Sequence, residues 1–194
     1  MKYNFTVNIK YTPLGDGGYR SPLGAGGRLF LIGMMGTGKS YWAQRIAASK
    51  NIDWMDLDAQ IEKDALMTIK EIFETNGEAY FRNKEKEVLH QLGAYKNIVI
   101  ATGGGTPCFH DNMQWMNKHG ITIWIDEAVE VLAERLKKEK AHRPLIKDLD
   151  DEELLHFLSI KLSERSKFYN QCQYHLQGDK ISDRSFAEIL QQHA

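Results

Sequence analysis

Short runs of apolar residues alternate along the chain with longer segments typical of helices. The apolar runs predict strands at 29–32, 52–55, 98–101, 121–125 and 174–176. The other segments predict helices at 39–50, 59–64, 68–74, 78–92, 127–138 and 151–167, and Ser182 is a predicted cap for a last helix. This alternation is typical of an α/β fold with three layers, αβα, around a central, mostly parallel sheet. Ligands of such folds bind at the carboxyl ends of the strands.

A separate strand pattern precedes this alternation. Apolar and polar residues alternate strictly over 3–11, which is the period of a half-buried strand. The following segment, 13–27, is rich in glycine and predicts a flexible connection. We therefore divide the chain into an appendage at 1–27 and one domain at 28–194. The appendage is interpreted as an extra edge strand, a strand that forms a dimer, or a leader added for expression. A plastid transit peptide is disfavoured because serine and arginine are scarce there.

A glycine-rich motif directly after the first of the five strands carries the strongest chemical signal. Its sequence is Gly33-Met34-Met35-Gly36-Thr37-Gly38-Lys39-Ser40. Glycines allow successive backbone N–H groups to surround a β-phosphate, Lys39 can reach the β- and γ-oxygens, and the Ser40 hydroxyl can bind Mg²⁺. A glycine-rich turn with an unrelated lysine is the alternative. The order of strand, loop and helix favours a phosphate-binding loop.

Composition narrows the function classes. The 194 residues include 25 Lys and Arg against 26 Asp and Glu, so no overall positive field attracts nucleic acid or an anionic membrane. No apolar run approaches the roughly 20 residues of a membrane span, and no compact apolar signal-peptide core is present near the N-terminus. Cys108 and Cys172 lack the spacing of a disulfide framework or a zinc site. We expect a cytoplasmic protein that binds neither nucleic acid nor membranes.

Two carboxylates follow the predicted strand at 52–55. Asp56 and Asp58 alternate along the chain, so both are expected near the edge of the sheet where the phosphate loop opens. One carboxylate can hold Mg²⁺ through a water molecule, and the other can accept a proton from a substrate hydroxyl. The alternative is that one or both simply cap the following helix. The neighbouring phosphate loop favours the functional interpretation.

Two further motifs suggest a pocket for an acidic ligand. Arg82 and Glu85 lie three residues apart on one helix face, so the acid can fix the guanidinium for binding a planar carboxylate. Taken alone, this spacing is more typical of an ordinary surface ion pair. Gly103, Gly104 and Gly105 follow an apolar strand. Because three glycines are costly in backbone entropy, they predict close approach of another group, a tight turn, or both.

Residues 138–150 form a charged connection that contains the sequence Arg143-Pro144-Leu145. We expect a mobile lid that closes over a triphosphate, with Arg143 neutralising charge on the transferred phosphoryl group. A solvated loop with a helix-stopping proline is an equal alternative.

These motifs occur together in an order known from one family. The sequence contains G-x-M-G-x-G-K-S at 33–40, aromatic-x-D-x-D at 54–58, F-R-x-x-E at 81–85, G-G-G at 103–105 and R-P-L at 143–145. In this order they resemble the shikimate kinase family, which belongs to the P-loop, nucleoside-monophosphate-kinase-like group. The resemblance extends from about Phe30 to Leu190. It implies a P-loop kinase fold with a mobile lid; the N-terminal strand lies outside the family pattern.

The resemblance implies a role for each matching residue. Asp56 would support the metal with Ser40, whereas Asp58 would bind the ring hydroxyls and act as the base. Arg82, anchored by Glu85, would bind the shikimate carboxylate. The glycines at 103–105 would pack against the ring. The residues expected to bind ATP are Gly36, Thr37, Gly38, Lys39, Ser40, Tyr41, Arg135 and Arg143, of which Lys39 and Arg143 are expected to take part in catalysis with Asp58.

Three places depart from the family pattern or are matched loosely. A second carboxylate-binding arginine is expected in an R-x-P-L-Y pattern, where Arg165 and Tyr169 match but lysine and phenylalanine replace proline and leucine. Arg165 is assigned this role. Arg135 lies roughly where an adenine-stacking arginine is expected. The segment Tyr41-Trp42-Ala43 stands where the family has small or β-branched residues, which predicts altered packing of the first helix.

The resemblance implies ATP-dependent phosphorylation of the 3-hydroxyl of shikimate, with Mg²⁺ as the cofactor, in aromatic amino acid biosynthesis. One alternative is a related kinase for gluconate or a nucleotide, which paired arginines and a triple-glycine platform disfavour. Another is a catalytically silent nucleotide-binding regulator, which the intact set of Lys39, Asp56, Asp58 and Arg143 disfavours. We expect a monomer; a dimer through the N-terminal strand is the alternative.

Overall fold

The computed structural model describes Leu23, residues 27–138, Lys140 and residues 144–193. Its strands are β1 (Arg28–Ile32), β2 (Asp53–Asp56), β3 (Ile98–Ala101), β4 (Ile121–Asp126) and β5 (Tyr174–Gln177). Its helices are α1 (Lys39–Lys50), α2 (Leu57–Ala65), α3 (Ile69–Gln91), α4 (Asn112–His119), α5 (Val129–Lys137), α6 (Asp151–Tyr169) and α7 (Asp183–Gln191). The predicted strand at 3–11 and the predicted lid residue Arg143 lie outside the described residues.

The five strands form one parallel sheet with the order β2-β3-β1-β4-β5. The central strand is β1, in which Phe30 lies beside Ile100 of β3 and Thr122 of β4. Because the strands are parallel, the segments that follow them meet at one edge of the sheet. We call this the carboxyl edge. It receives the phosphate loop after β1, Asp56 and Asp58 around the end of β2, and the three glycines after β3.

The strands are buried on both faces, which produces the three-layer fold. Phe30 and Ile100 belong to one apolar core, whereas Leu31 and Val99 belong to a second core on the other side of the sheet. The α/β fold predicted from the apolar runs is confirmed. No helix within the described ranges is long and apolar enough to cross a bilayer.

Local chemistry explains most element boundaries. The predicted capping box is present: the Thr68 side chain accepts from the Glu71 amide at 3.2 Å, and the Thr68 amide donates to Glu71 Oε2 at 2.7 Å. Gly77, with φ 79°, interrupts α3 between the two helices predicted there. Ser182 caps α7 as predicted. The helix α4 was not predicted, and the residue before it, Asp111, makes no side-chain cap bond.

Candidate functional site

A cavity of about 1200 Å³ opens at the carboxyl edge. It is lined by residues 35–42, Asp56, Asp58, residues 102–104, Glu127, one face of α5 that includes Glu130 and Arg135, Lys138, Gly178 and Ile181. The phosphate loop forms one wall, and the first two of the three glycines lie at the same cavity. Of the residues predicted for the acceptor, Asp58 and these two glycines line the cavity beside the residues predicted for the nucleotide, whereas Arg82, Glu85, Gly105 and Arg165 are not among its lining residues.

The phosphate loop curls around the side chain of Lys39. Lys39 Nζ donates to the carbonyl oxygens of Gly33 at 2.9 Å and Met34 at 2.7 Å. Thr37 Oγ1 donates to the Met34 carbonyl at 2.9 Å. Gly38 precedes α1 with φ 82°, a left-handed conformation that favours glycine. The loop thus presents the N-terminus of α1 to the cavity, where the helix dipole and the first amides favour an anion.

Asp56 makes two contacts beside this loop. Its Oδ2 accepts a hydrogen bond from Ser40 Oγ at 2.5 Å, and its Oδ1 accepts from the Ala59 amide at 3.2 Å. The helix-cap interpretation from the sequence is therefore correct for Asp56, and the same carboxylate also meets the phosphate loop. A hydroxyl oxygen and a carboxylate oxygen therefore lie together at the cavity wall.

Asp58 lies in the first turn of α2 and lines the same cavity. Burial, together with the negative charges of Asp56 and Glu85, raises the pKa of its carboxyl to about 7, against the opposing effect of Lys39 and Arg82. A pKa in this range suits a group that accepts a proton from a hydroxyl near neutral pH.

The pair of Arg82 and Glu85 is not an ordinary surface ion pair. The Glu85 side chain is 0% exposed and that of Arg82 only 13%. Arg82 Nη1 lies 3.0 Å from Glu85 Oε2, and Thr106 Oγ1 donates to the other Glu85 oxygen at 2.6 Å. Glu78 Oε1 accepts from Arg82 Nε and Nη2 at 3.2 and 3.1 Å. The surface-pair interpretation is wrong because the Glu85 carboxylate is enclosed in the protein.

The three glycines leave room for the candidate side chains. A Cβ atom on Gly103 would lie 2.7 Å from Asp58 Oδ1, and one on Gly105 would lie 2.9 Å from both terminal nitrogens of Arg82. A Cβ atom on Gly104 would lie 3.0 Å from Arg165 Nη1. A Cβ atom at any of the three positions would therefore crowd one of these side chains, which would have to move from its present place. A turn is also formed here, since the Thr106 amide donates to the Gly103 carbonyl at 3.2 Å.

Arg165 and Tyr169 join this cluster from α6. Arg165 Nη1 lies 3.7 Å from Met34 Sδ, and Tyr169 Oη donates to the Gly104 carbonyl at 2.5 Å. Burial raises the pKa of Tyr169, so its hydroxyl stays a donor. The lysine and phenylalanine that depart from the family pattern leave Arg165 and Tyr169 in contact with the loop and the glycines.

Arg135 and Tyr41 lie on the nucleotide side of the cavity. Arg135 Nη1 donates to the Gly36 carbonyl at 3.2 Å, and its Nη2 lies 2.7 Å from Glu127 Oε1. Tyr41 is 57% exposed at the cavity rim. Trp42 packs against Phe186 of α7 with ring centroids 4.9 Å apart. This contact packs α1 against the C-terminal helix.

We call Asp58, Arg82, Glu85, Arg165 and residues 103–105 the acceptor cluster. Two residues that contact it, Glu78 and Thr106, were not predicted from the sequence. Glu78 stands four residues before Arg82, and this spacing on a helix could have identified it. Thr106 follows the three glycines, and nothing in the sequence indicates that its hydroxyl reaches Glu85, 21 residues away.

Comparisons with known proteins agree with this geometry. A sequence model of the family described as "Shikimate kinase" matches residues 35–194. A shikimate kinase of Bacteroides fragilis is 43% identical over 161 residues, which cover 83% of this chain and 90% of the relative. The crystal structure of shikimate kinase from Bacteroides thetaiotaomicron has a TM-score of 0.77 and 40% identity, covering 86% of this chain and 94% of that one. Shikimate kinase from Acinetobacter baumannii, solved with shikimate, has a TM-score of 0.74 and 30% identity, covering 86% and 91%.

The enclosed Glu85 carboxylate generates a stability prediction. Glu85→Gln removes the negative charge beside Arg82, and we expect it to lower the free energy of unfolding by about 2–3 kcal/mol because a buried charge loses its partner. The measurement is urea denaturation followed by circular dichroism. Glu87→Gln is the matched control on the same helix, since the Glu87 side chain is 55% exposed beside Lys84. Equal losses from the two variants would contradict the assigned burial of Glu85.

Proposed function

This chain belongs to the shikimate kinase family, and we propose that it transfers the γ-phosphoryl group of ATP to the 3-hydroxyl of shikimate, giving shikimate 3-phosphate and ADP. The position of Asp58 carries this proposal. Asp58 lines the same cavity as the phosphate loop, and its Oδ1 lies 2.7 Å from where a Cβ atom on Gly103, in the glycine platform, would stand. A site for a phosphoryl donor and a site for an acidic acceptor therefore meet at one carboxylate.

The donor side uses the phosphate loop. We propose that the backbone amides of residues 36–40 surround the β-phosphate and that Lys39 exchanges its carbonyl partners for phosphate oxygens. Arg135 and Tyr41 are proposed to contact the nucleoside. Residues 138–150 are proposed as the lid that excludes water, with Arg143 stabilising charge on the migrating group.

Mg²⁺ fits the oxygen ligands beside this loop. The Ser40 hydroxyl and the Asp56 carboxylate lie 2.5 Å apart, and both are hard oxygen donors of the kind that Mg²⁺ prefers. We propose that these two residues hold the ion, Asp56 through a water molecule. When bound, Mg²⁺ neutralises negative charge on the β- and γ-phosphates.

The acceptor side uses two arginines and the glycine platform. We propose that Arg82 and Arg165 bind the shikimate carboxylate while residues 103–105 pack against the ring. This arrangement would bring the 3-hydroxyl to Asp58, which accepts its proton as the oxygen attacks the γ-phosphorus. Catalysis then depends on positioning and on charge stabilisation.

An assay of ADP release with a panel of acceptors tests the function. With ATP and Mg²⁺ we expect turnover of shikimate and none of gluconate or nucleoside monophosphates, because paired arginines fit a compact ring acid. Excess EDTA should stop the reaction. Preferred turnover of gluconate or a nucleotide would contradict the proposal, and tight ATP binding without turnover of any acceptor would indicate a regulator.

The acceptor role of Arg82 generates a kinetic prediction. Arg82→Ala should raise KM for shikimate about 100-fold, since it removes a charge-assisted contact worth roughly 2–3 kcal/mol, and should leave KM for ATP nearly unchanged. Steady-state kinetics with each substrate varied in turn measure both constants. Lys84→Ala is the control on the same helix, because Lys84 pairs with the exposed Glu87. An unchanged KM for shikimate would remove Arg82 from the carboxylate role.

The donor role of Lys39 generates a second kinetic prediction. Lys39→Ala should lower kcat at least about 100-fold with shikimate, because the charge that develops on the phosphoryl group loses its ammonium partner. We expect KM for shikimate to stay close to that of the unmodified chain. Lys50→Ala, at the other end of α1, is the control. Full activity of Lys39→Ala would contradict the assignment of the phosphate loop.

A further inference from the structure

We propose that Phe109 is a positioning residue of the acceptor site, whose ring holds the plane of the Arg82 guanidinium. This inference rests on the proposed binding of the shikimate carboxylate by Arg82. Arg82 Cζ lies 4.1 Å from the centroid of the Phe109 ring, well within the range of a cation–π contact. The ring of Phe81, the residue before Arg82, is farther away at 5.0 Å. Phe109 is therefore the closer aromatic support of this guanidinium.

The ring adds a constraint that the acids around Arg82 do not supply. Glu78 and Glu85 accept three hydrogen bonds from Nε, Nη1 and Nη2, all of them at the edges of the guanidinium. A guanidinium has five N–H groups, so these bonds leave one on Nη1 and one on Nη2 for a ligand. The Phe109 ring packs against Arg82 Cζ instead and limits movement of the guanidinium in that direction. Phe109 thus fixes the direction of the two N–H groups that remain for a carboxylate.

Phe109 lies in a turn that is closed by several hydrogen bonds. The turn begins at the glycines, where the Cys108 amide donates to the Gly105 carbonyl at 2.9 Å. It ends at the fully buried Asn112, whose amide donates to the Phe109 carbonyl at 2.9 Å and whose side chain donates to the Thr106 carbonyl at 3.0 Å. The backbone of Phe109 is therefore hydrogen-bonded into the wall of the acceptor cluster.

The two residues after Phe109 have unusual backbone angles. His110 has φ 50° and Asp111 has φ 56°, so two successive residues other than glycine are left-handed. Such conformations are disfavoured and persist where the surrounding structure determines them, often at functional sites. Here the chain reverses immediately after Phe109 and enters α4. The chain thus turns away directly after Phe109, whose ring lies over Arg82.

The same turn also contacts Arg82 indirectly, through hydrogen bonds of Glu85. Thr106 Oγ1 donates to Glu85 Oε1, and Glu85 Oε2 accepts from Arg82 Nη1. The turn therefore contacts the arginine directly through the Phe109 ring and indirectly through Glu85. Both contacts come from the segment that follows the glycine platform. This one segment therefore fixes the position of the arginine relative to the platform.

Two substitutions at position 109 test the proposal. Phe109→Leu removes the aromatic face and should raise KM for shikimate about 5- to 20-fold, with kcat and KM for ATP within about twofold of the unmodified chain. Phe109→Tyr keeps the ring and should restore KM to within about twofold. If Phe109→Leu does not fold, as judged by thermal unfolding, Phe109→Met replaces it. An unchanged KM for shikimate in the non-aromatic variant, or an equal rise in Phe109→Tyr, would overturn the proposal.

A double-mutant cycle with Arg82→Ala separates this inference from the proposed function. If Phe109 acts through Arg82, Phe109→Leu should have little further effect on KM for shikimate in the Arg82→Ala background. The same fold-change in both backgrounds would overturn the positioning role. A raised KM in Arg82→Ala with no effect of Phe109→Leu would refute this inference alone. An unchanged KM in Arg82→Ala would refute the role of Arg82 and this inference with it.

Discussion

The proposed acceptor half of the site depends on the buried carboxylate of Glu85. A carboxylate without exposed surface is stable only when charged or hydrogen-bonding groups satisfy it, and Arg82 and Thr106 each bind one of its oxygens. These two partners come from α3 and from the segment after the glycines. Separating the two segments would leave a charge unpaired in the interior. The place of Arg82 is therefore set by an electrostatic requirement as well as by apolar packing.

The backbone of Gly104 lies between the proposed donor half of the site, which is the phosphate loop, and the proposed acceptor half. A Cβ atom there would lie 3.4 Å from the Gly33 carbonyl and 3.5 Å from the Met35 amide, so the platform packs directly against the phosphate loop. Tyr169 holds the Gly104 carbonyl from α6, and Arg165 on the same helix reaches Met34. These contacts hold the glycine platform next to the phosphate loop. Phosphoryl transfer needs this, because the attacking oxygen and the leaving oxygen must lie nearly in line.

The sequence predicted those parts of the structure that local patterns determine. Strands buried on both faces produce continuous apolar runs, and a capping box such as that of Thr68 is readable from spacing. The sequence could not decide between a helix cap and a functional role for Asp56. One of its oxygens accepts from the Ala59 amide of the helix, and the other accepts from Ser40 in the phosphate loop. It also could not show that Glu85 is buried. That burial depends on Thr106, and the approach of Arg165 to Met34 spans 131 positions.

The contacts of Lys39 have a consequence for ligand selection. Two carbonyl oxygens already accept hydrogen bonds from its ammonium, and an incoming anion must compete with them for it. The binding energy of an anion at Lys39 is therefore a difference between the bonds that it makes and the two carbonyl bonds that the ammonium gives up. A ligand with several phosphates, which also accepts hydrogen bonds from the loop amides, offers more replacement bonds than a small, singly charged anion. The internal contacts of Lys39 therefore favour polyphosphates over such anions.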